Sequence, residues 1–135
     1  MTDQTQDEMA LARPLVAVCR SCRGTPAEAQ GEPVPVECRP GARLATALTE
    51  ATPHDVRVLV VDCLGNCNRG PSATLQCQGR WQYLFGEINP DTGAEDLLAA
   101  ARLLAVSEDG LLPWRTRPPA LKKGLIARLP PFPAV

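Results

Sequence analysis

The chain has few aromatic residues: two Trp, two Phe and one Tyr make up 4% of its 135 residues. One core of this size must therefore be built mainly from Val, Leu and Ala. Histidine occurs once, at His54 between Pro53 and Asp55. That turn-prone setting suits a surface residue, and no Ser, His and Asp constellation can be assembled without it. No phosphate-binding glycine loop follows a strand, so catalysis by side chains is not expected. No apolar run is long enough to span a bilayer, and the start MTDQTQDEM lacks the basic and apolar parts of a secretory signal. A soluble cytoplasmic protein with no membrane partner is expected. Acidic residues stop at Asp109: residues 1–109 carry 9 basic and 15 acidic groups, whereas residues 110–135 carry 5 basic groups and none acidic. The basic segment is broken by six prolines and lacks aromatic interleaving. It therefore excludes a nucleic-acid binder and points to intramolecular docking or an acidic partner.

What the chain does have is proline (14 residues) and cysteine (6 residues). The prolines punctuate a strand, helix, strand, strand, strand, helix order. Leu15 to Val18 reads as a short strand ending at Cys19, and the Gly- and Pro-rich stretch from Arg20 to Pro40 as a long loop. Pro40 and Gly41 open a helix with Leu44, Ala47, Leu48 and Ala51 on one face, closed by Thr52 and Pro53. Val56 to Val61 is the strongest strand signal, and its four consecutive apolar residues suggest burial on both faces, as in a parallel sheet. Ala73 to Gln76 and Trp81 to Phe85 flank Gln78 and Gly79 as a hairpin. Thr92 and Glu95 have capping-box spacing before a helix with Ala94, Leu97, Leu98, Ala101 and Leu104 on one side. The expected division is an N-terminal segment (1–13), an α/β domain (14–109) and an irregular, basic, Pro-rich tail (110–135).

A right-handed crossover makes the first two strands parallel, so Cys19 and Cys63 emerge at the same end of the sheet. Cys19 and Cys22 form a CxxC, and Cys63 and Cys67 a CxxxC, each in a turn-prone segment. In a reducing compartment such pairs point to metal or redox chemistry rather than disulfides. Four thiolates satisfy a tetrahedral zinc ion or an iron-sulfur cluster equally well by ligand count. A thioredoxin-like redox pair at Cys19 and Cys22, or inert buried thiols, are the rival readings. Cys38, just before the first helix, could replace Cys22 as a ligand, while Cys77 beside the hairpin turn suits a structural role. Arg20, Arg23 and Arg69 flank the thiols, either as ordinary solvated charge or as cations that would favour the reduced form of a negatively charged cluster. Asn66 and Asn68 could cap turns, and Gly65 or Gly70 could adopt positive φ.

The run CLGNCNRGP, followed by a hairpin and a helix, resembles the second ligand segment of thioredoxin-like 2Fe-2S ferredoxins, which are similar to the small iron-sulfur subunit of respiratory NADH dehydrogenase. That resemblance implies a thioredoxin-like fold and a 2Fe-2S cluster on Cys63, Cys67, Cys19 and a cysteine before the first helix, Cys38. The stretches VCRSCR, PGARLATAL, CLGNCNRG, GRWQYLFGEINP and DGLLPWRTRPPALKKGLIARLPP resemble, over most of the chain, a family of small predicted metal-binding proteins. This family is related to those ferredoxins and often linked to cobalamin biosynthesis in bacteria. Its pattern implies Cys19, Cys22, Cys63 and Cys67 as ligands, and often has a further cysteine where this chain has Pro71. The reading adopted is a non-enzymatic 2Fe-2S electron carrier using these four, with zinc as the alternative occupant. The expected partner is a redox protein, with an enzyme of cobalamin biosynthesis as the implied one. A homodimer is left open.

Overall fold

Leu15–Cys19 (β1) and Arg57–Val61 (β2) pair in parallel, with Leu15 opposite Arg57 and Cys19 opposite Val61. The crossover between them contains the helix Pro40–Glu50 (α1), whose proline at the first turn needs no intrahelical N–H partner. Ala73–Gln76 (β3) lies antiparallel to β1 and turns through Gly79, at φ 76°, into Gln82–Phe85 (β4). The helix Gly93–Ala105 (α2) follows, then a short helix Pro119–Lys123 (α3) and a final strand Leu125–Leu129 (β5) against β4. The sheet order is β2-β1-β3-β4-β5. The computed structural model describes residues 13–22, 35, 38–51, 53–66 and 69–131.

The core forms where one face of the sheet meets the helices. Val16, Val18, Leu75, Tyr83 and Phe85 are buried in one cluster with Leu44 and Leu48 of α1 and Leu97, Leu98, Ala101 and Leu104 of α2. The one-face spacing expected of α2 is the face it buries. Of the face expected for α1, Leu44 and Leu48 are buried and Ala47 partly so. Ala51 lies past the end of the helix and is exposed, and Ala45 is buried in its place. Full burial of each such Leu stabilises the fold by about 2 kcal/mol, and this packing holds the ends of β1 and α1 together. Among the described residues no helix is long and apolar enough to cross a membrane.

Three expectations are corrected. β2 is an edge strand rather than a strand buried on both faces, with Leu59 49% and Val60 41% exposed. A run of four apolar residues signals burial only if a layer covers each face, and here none of the described elements lies beyond β2. The Thr92–Glu95 capping box is absent, because Thr92 makes no side-chain cap bond. Asn89 organises that turn instead: its Oδ1 accepts from Asp91 N at 2.8 Å and its carbonyl from Gly93 N at 2.7 Å.

The third correction concerns the segment from residue 110, which was expected to be irregular and is instead packed and extends the sheet. Arg117 is only 7% exposed, and its guanidinium donates to Leu112 O (2.8 Å) and Pro113 O (3.3 Å) while lying over the rings of Tyr83 and Trp114. The backbone N–H of Leu112 donates to Tyr83 Oη at 2.8 Å. Carbonyls and aromatic faces thus replace water around the buried cation, and the segment is delivered to the open edge of β4.

Candidate metal or redox centre

Because β1 and β2 are parallel and in register to Cys19 and Val61, both thiol segments leave the sheet at one end. The two loops are joined there. Arg20 N donates to Val61 O at 2.9 Å, Arg20 Nε to Asp62 Oδ1 at 2.6 Å, and Ser21 Oγ to Asp62 O. Arg39, just before α1, adds a bond from its Nη1 to Ser21 O at 3.2 Å.

Cys19 and Cys22 are enclosed, at 1% and 3% exposure. Two glycines make that enclosure sterically feasible. A Cβ on Gly41 would fall 2.2 Å from Cys19 O and 2.9 Å from Cys22 N, and one on Gly70 would fall 2.9 Å from Cys22 Sγ. Gly41 N donates to Cys22 O at 3.1 Å, and Cys19 N to Ser72 O at 3.1 Å, so α1 and the strand β3 grip the CRSC turn from two sides. The Gly70–Pro71 peptide bond is cis.

The two thiols are pushed in opposite directions. Burial pushes the Cys19 thiol up, but hydrogen bonds from Cys22, from Ser21 and from the Leu64 backbone outweigh it and hold Cys19 below the usual thiol range. Burial, followed by the bond to Cys19, pushes the Cys22 thiol up to about 12. Cys19 is therefore the more acidic thiol of the two, and Cys22 keeps its proton near neutral pH.

Cys63 sits in a different setting. It is exposed, and its sulfur accepts a hydrogen bond from Gly65 N at 3.2 Å. Gly65, at φ 75°, supplies the positive φ for this turn; Gly70 serves by close approach instead. The loop is then anchored by Asn66, whose Nδ2 donates to Ser72 Oγ at 2.9 Å, and by Arg69 N donating to Asn66 O at 3.1 Å. It rests on Gly86 at the end of β4, where a Cβ would meet Arg69 O at 2.5 Å. Gly86 N in turn donates to Gly124 O at 2.8 Å, so the start of β5 supports the same corner.

The structure therefore brings Cys19 and Cys22 together and puts Cys63 in the adjoining loop. Cys38 is exposed just ahead of α1, with its N–H bonded to Pro35 O at 2.9 Å. Cys67, Asn68 and Arg23 lie outside the described residues. Cys77 is buried in the hydrophobic cluster, as a structural cysteine would be. His54 is exposed. Among the described residues no three of His, Cys, Asp and Glu stand close enough to hold a metal ion together. The donor chemistry nonetheless fits a thiophilic centre: two adjoining sulfurs, one of them acidified, and a third sulfur already accepting a backbone N–H. Arg20 and Arg69 face carboxylates, Asp62 at 2.6 Å and Glu87 at 3.7 Å, which offsets their charge. Sequence reasoning missed Gly41, Ser72 and Asp62, whose only signal was nearness to the thiols once the crossover had been drawn.

The comparisons agree with this geometry at the level of fold. Two solved structures of a thioredoxin-like [2Fe-2S] ferredoxin from Aquifex aeolicus are similar to the chain, each with a TM-score of 0.51. One is 17% identical and covers 89% of this chain and 96% of its own; the other, a wild-type form, is 16% identical and covers 85% and 97%. The thioredoxin-like arrangement expected from the sequence is thus the one observed, with β5 added. No curated protein matches the sequence. A family described as a protein of unknown function (DUF1636) matches residues 16–131, and to that family the chain belongs.

Proposed function

We propose that the protein is a 2Fe-2S ferredoxin-like electron carrier whose cluster is held by Cys19, Cys22, Cys63 and Cys67. The observation that carries this reading is the delivery of both thiol segments to one end of a sheet whose fold is like that of 2Fe-2S ferredoxins. Once bound, the cluster would supply one-electron chemistry. The chain's own residues do the rest. Cys19 and Cys22 offer two sulfurs screened from water, Cys63 offers a third from the exposed turn, where the Gly65 N–H directs partial positive charge at its sulfur, and Cys67 would be the fourth ligand. No side chain is assigned a catalytic step. The protein would act in the cytoplasm, where thiols stay reduced, and would pass electrons to a redox protein. The resemblance noted above makes an enzyme of cobalamin biosynthesis the first partner to test.

Anaerobic purification followed by absorption and EPR spectroscopy tests the cluster: visible bands, iron and labile sulfide are expected. Stoichiometric zinc without a chromophore would replace it with the zinc-stabilised module. Separate Cys22→Ser and Cys38→Ser variants identify the fourth ligand, and loss of the spectrum only in Cys38→Ser would overturn the choice of Cys22.

The second reading, a dithiol oxidoreductase, is favoured by one observation, the lowered Cys19 beside the raised Cys22. It predicts reversible oxidation of these two thiols that survives Cys63→Ser combined with Cys67→Ser.

A further inference from the structure

β2 has β1 on one side and, among the described residues, no strand on the other. Beyond Arg57 at its start, the strand continues as VLVV, with no charge, proline or bulge, the devices that ordinarily blunt an exposed edge. The opposite edge of the sheet has such devices: β5 carries Arg128, pairs with β4 through a register shift, and runs into Pro130 and Pro131. The bonding direction of β2 is fixed by its neighbour. Arg57 N donates to Pro14 O, and Val61 O accepts from Arg20 N. The backbone groups of residues 57, 59 and 61 therefore turn towards β1, and those of Val58 and Val60 turn out from the edge. Beside this edge, an open groove between β2 and α1 is lined by the small side chains Ala42, Ala45, Thr46 and Thr49, with Arg20 at one end and Glu50 at the other.

We propose that this edge is the interface of a homodimer, in which β2 pairs antiparallel with β2 of a second copy about a two-fold axis through Leu59. A two-fold axis perpendicular to the sheet keeps opposed side chains on matching faces, so the axis must pass through a residue rather than between two. Centring it on Leu59 sets Val58 of each copy opposite Val60 of the other. These are the residues whose N–H and C=O groups point outward, so each pair exchanges both of its bonds. The exposed Leu59 then packs against its own symmetry mate. Centring on Val60 would instead oppose Val58 to the carboxylate of Asp62, which disfavours that register.

The groove is complementary under the same operation. α1 runs back against the strand direction, so Arg20 lies at the end where β2 finishes and Glu50 at the end where it begins. The two-fold reverses direction, and the Arg20 end of one copy meets the Glu50 end of the other. Among the described residues Glu50 has no ion-pair partner, and Arg20, half-exposed beside Asp62, has room for a second carboxylate. The small residues of α1 leave the two helices free to approach. The interface contains none of the described cysteines, so it holds whichever group the thiols bind.

Sedimentation velocity on the full chain is expected to show a dimer. Leu59→Lys, checked for folding by circular dichroism, should weaken that dimer about tenfold or more, because the lysine lies at the centre of the interface on both copies. Leu59→Cys should cross-link to a covalent dimer under mild oxidation, since a non-hydrogen-bonded antiparallel pair brings the two Cα atoms to about 4.5 Å. Val60→Cys, off the axis, should cross-link no faster than the wild-type control. A wild-type monomer at every concentration tested, or cross-linking through Val60→Cys but not Leu59→Cys, overturns the proposal.

Discussion

The two thiol segments leave neighbouring parallel strands at the same end of the sheet, yet they are held by different forces. Cys19 and Cys22 are sealed by backbone, with Gly41 and Gly70 pressed against them where a Cβ would collide. Cys63 stands in an exposed turn held by Gly65 and by the side-chain bond from Asn66 to Ser72. One half of the site is fixed by packing and the other by local hydrogen bonds. Changes near the first should therefore be costly and cooperative, and changes near the second small and local.

The largest expected effect tests the packed half. Gly41→Ala forces a methyl group to within 2.2 Å of Cys19 O, a backbone atom that cannot swing aside. A loss of about 3 kcal/mol is expected, read as a lower urea midpoint with the slope unchanged. A variant as stable as wild type would show that the CRSC turn yields easily.

The second test uses alkali. Raising the folded Cys22 above the ordinary value of 9.0 to about 12 means that the native state binds more protons than the unfolded state across that interval. The contribution is fully present below pH 9 and is lost as pH rises towards 12, with a slope on the order of 1 kcal/mol per pH unit. Cys22→Ser should flatten this slope in denaturation curves recorded in the presence of a chelator, and identical slopes would refute the raised Cys22. For Cys19, held low in the folded state, the contribution has the opposite sense and fades as the solution becomes more acidic.

In the exposed half, Gly65→Ala meets no atom within 4 Å but must keep φ at 75°. The strain amounts to about 1 kcal/mol, and any effect comparable to that of Gly41→Ala would erase the contrast between the halves. The smallest change is expected of Glu87→Ala. It breaks the ion pair to Arg69 of the same loop, at 3.7 Å and with side chains 44% and 50% exposed, so a stability change of about 0.5 kcal/mol or less is anticipated by thermal melting.

Much of this arrangement was legible in the sequence because it follows from local period and chain handedness. The spacing of Leu44 and Leu48, and of Leu97, Leu98 and Leu104, marks the helix faces that are buried. The right-handed crossover is enough to put Cys19 and Cys63 at one end. The remainder depends on what lies across space. Nothing local to LIARL distinguishes a strand from a basic linker, and the order arises because β4 has an edge to fill. Likewise, Val58 to Val61 reads as interior until the sheet order shows β2 at the margin. The glycine contacts at Cys22 join residues 41 and 70 to residue 22, separations at which no spacing rule operates.

The position of β5 in the sheet has a consequence for how the protein is made. The outer edge of β4 and the N–H of Gly86, on which the Cys63 loop rests, acquire their partners only from residues 124–129. During translation those partners are added after every cysteine of the chain has already been synthesised. A nascent chain therefore displays its thiols before the corner beneath them is braced. Were a metal or cluster to be loaded, its stable binding would come after β5 has docked, as a step that follows closure of the sheet.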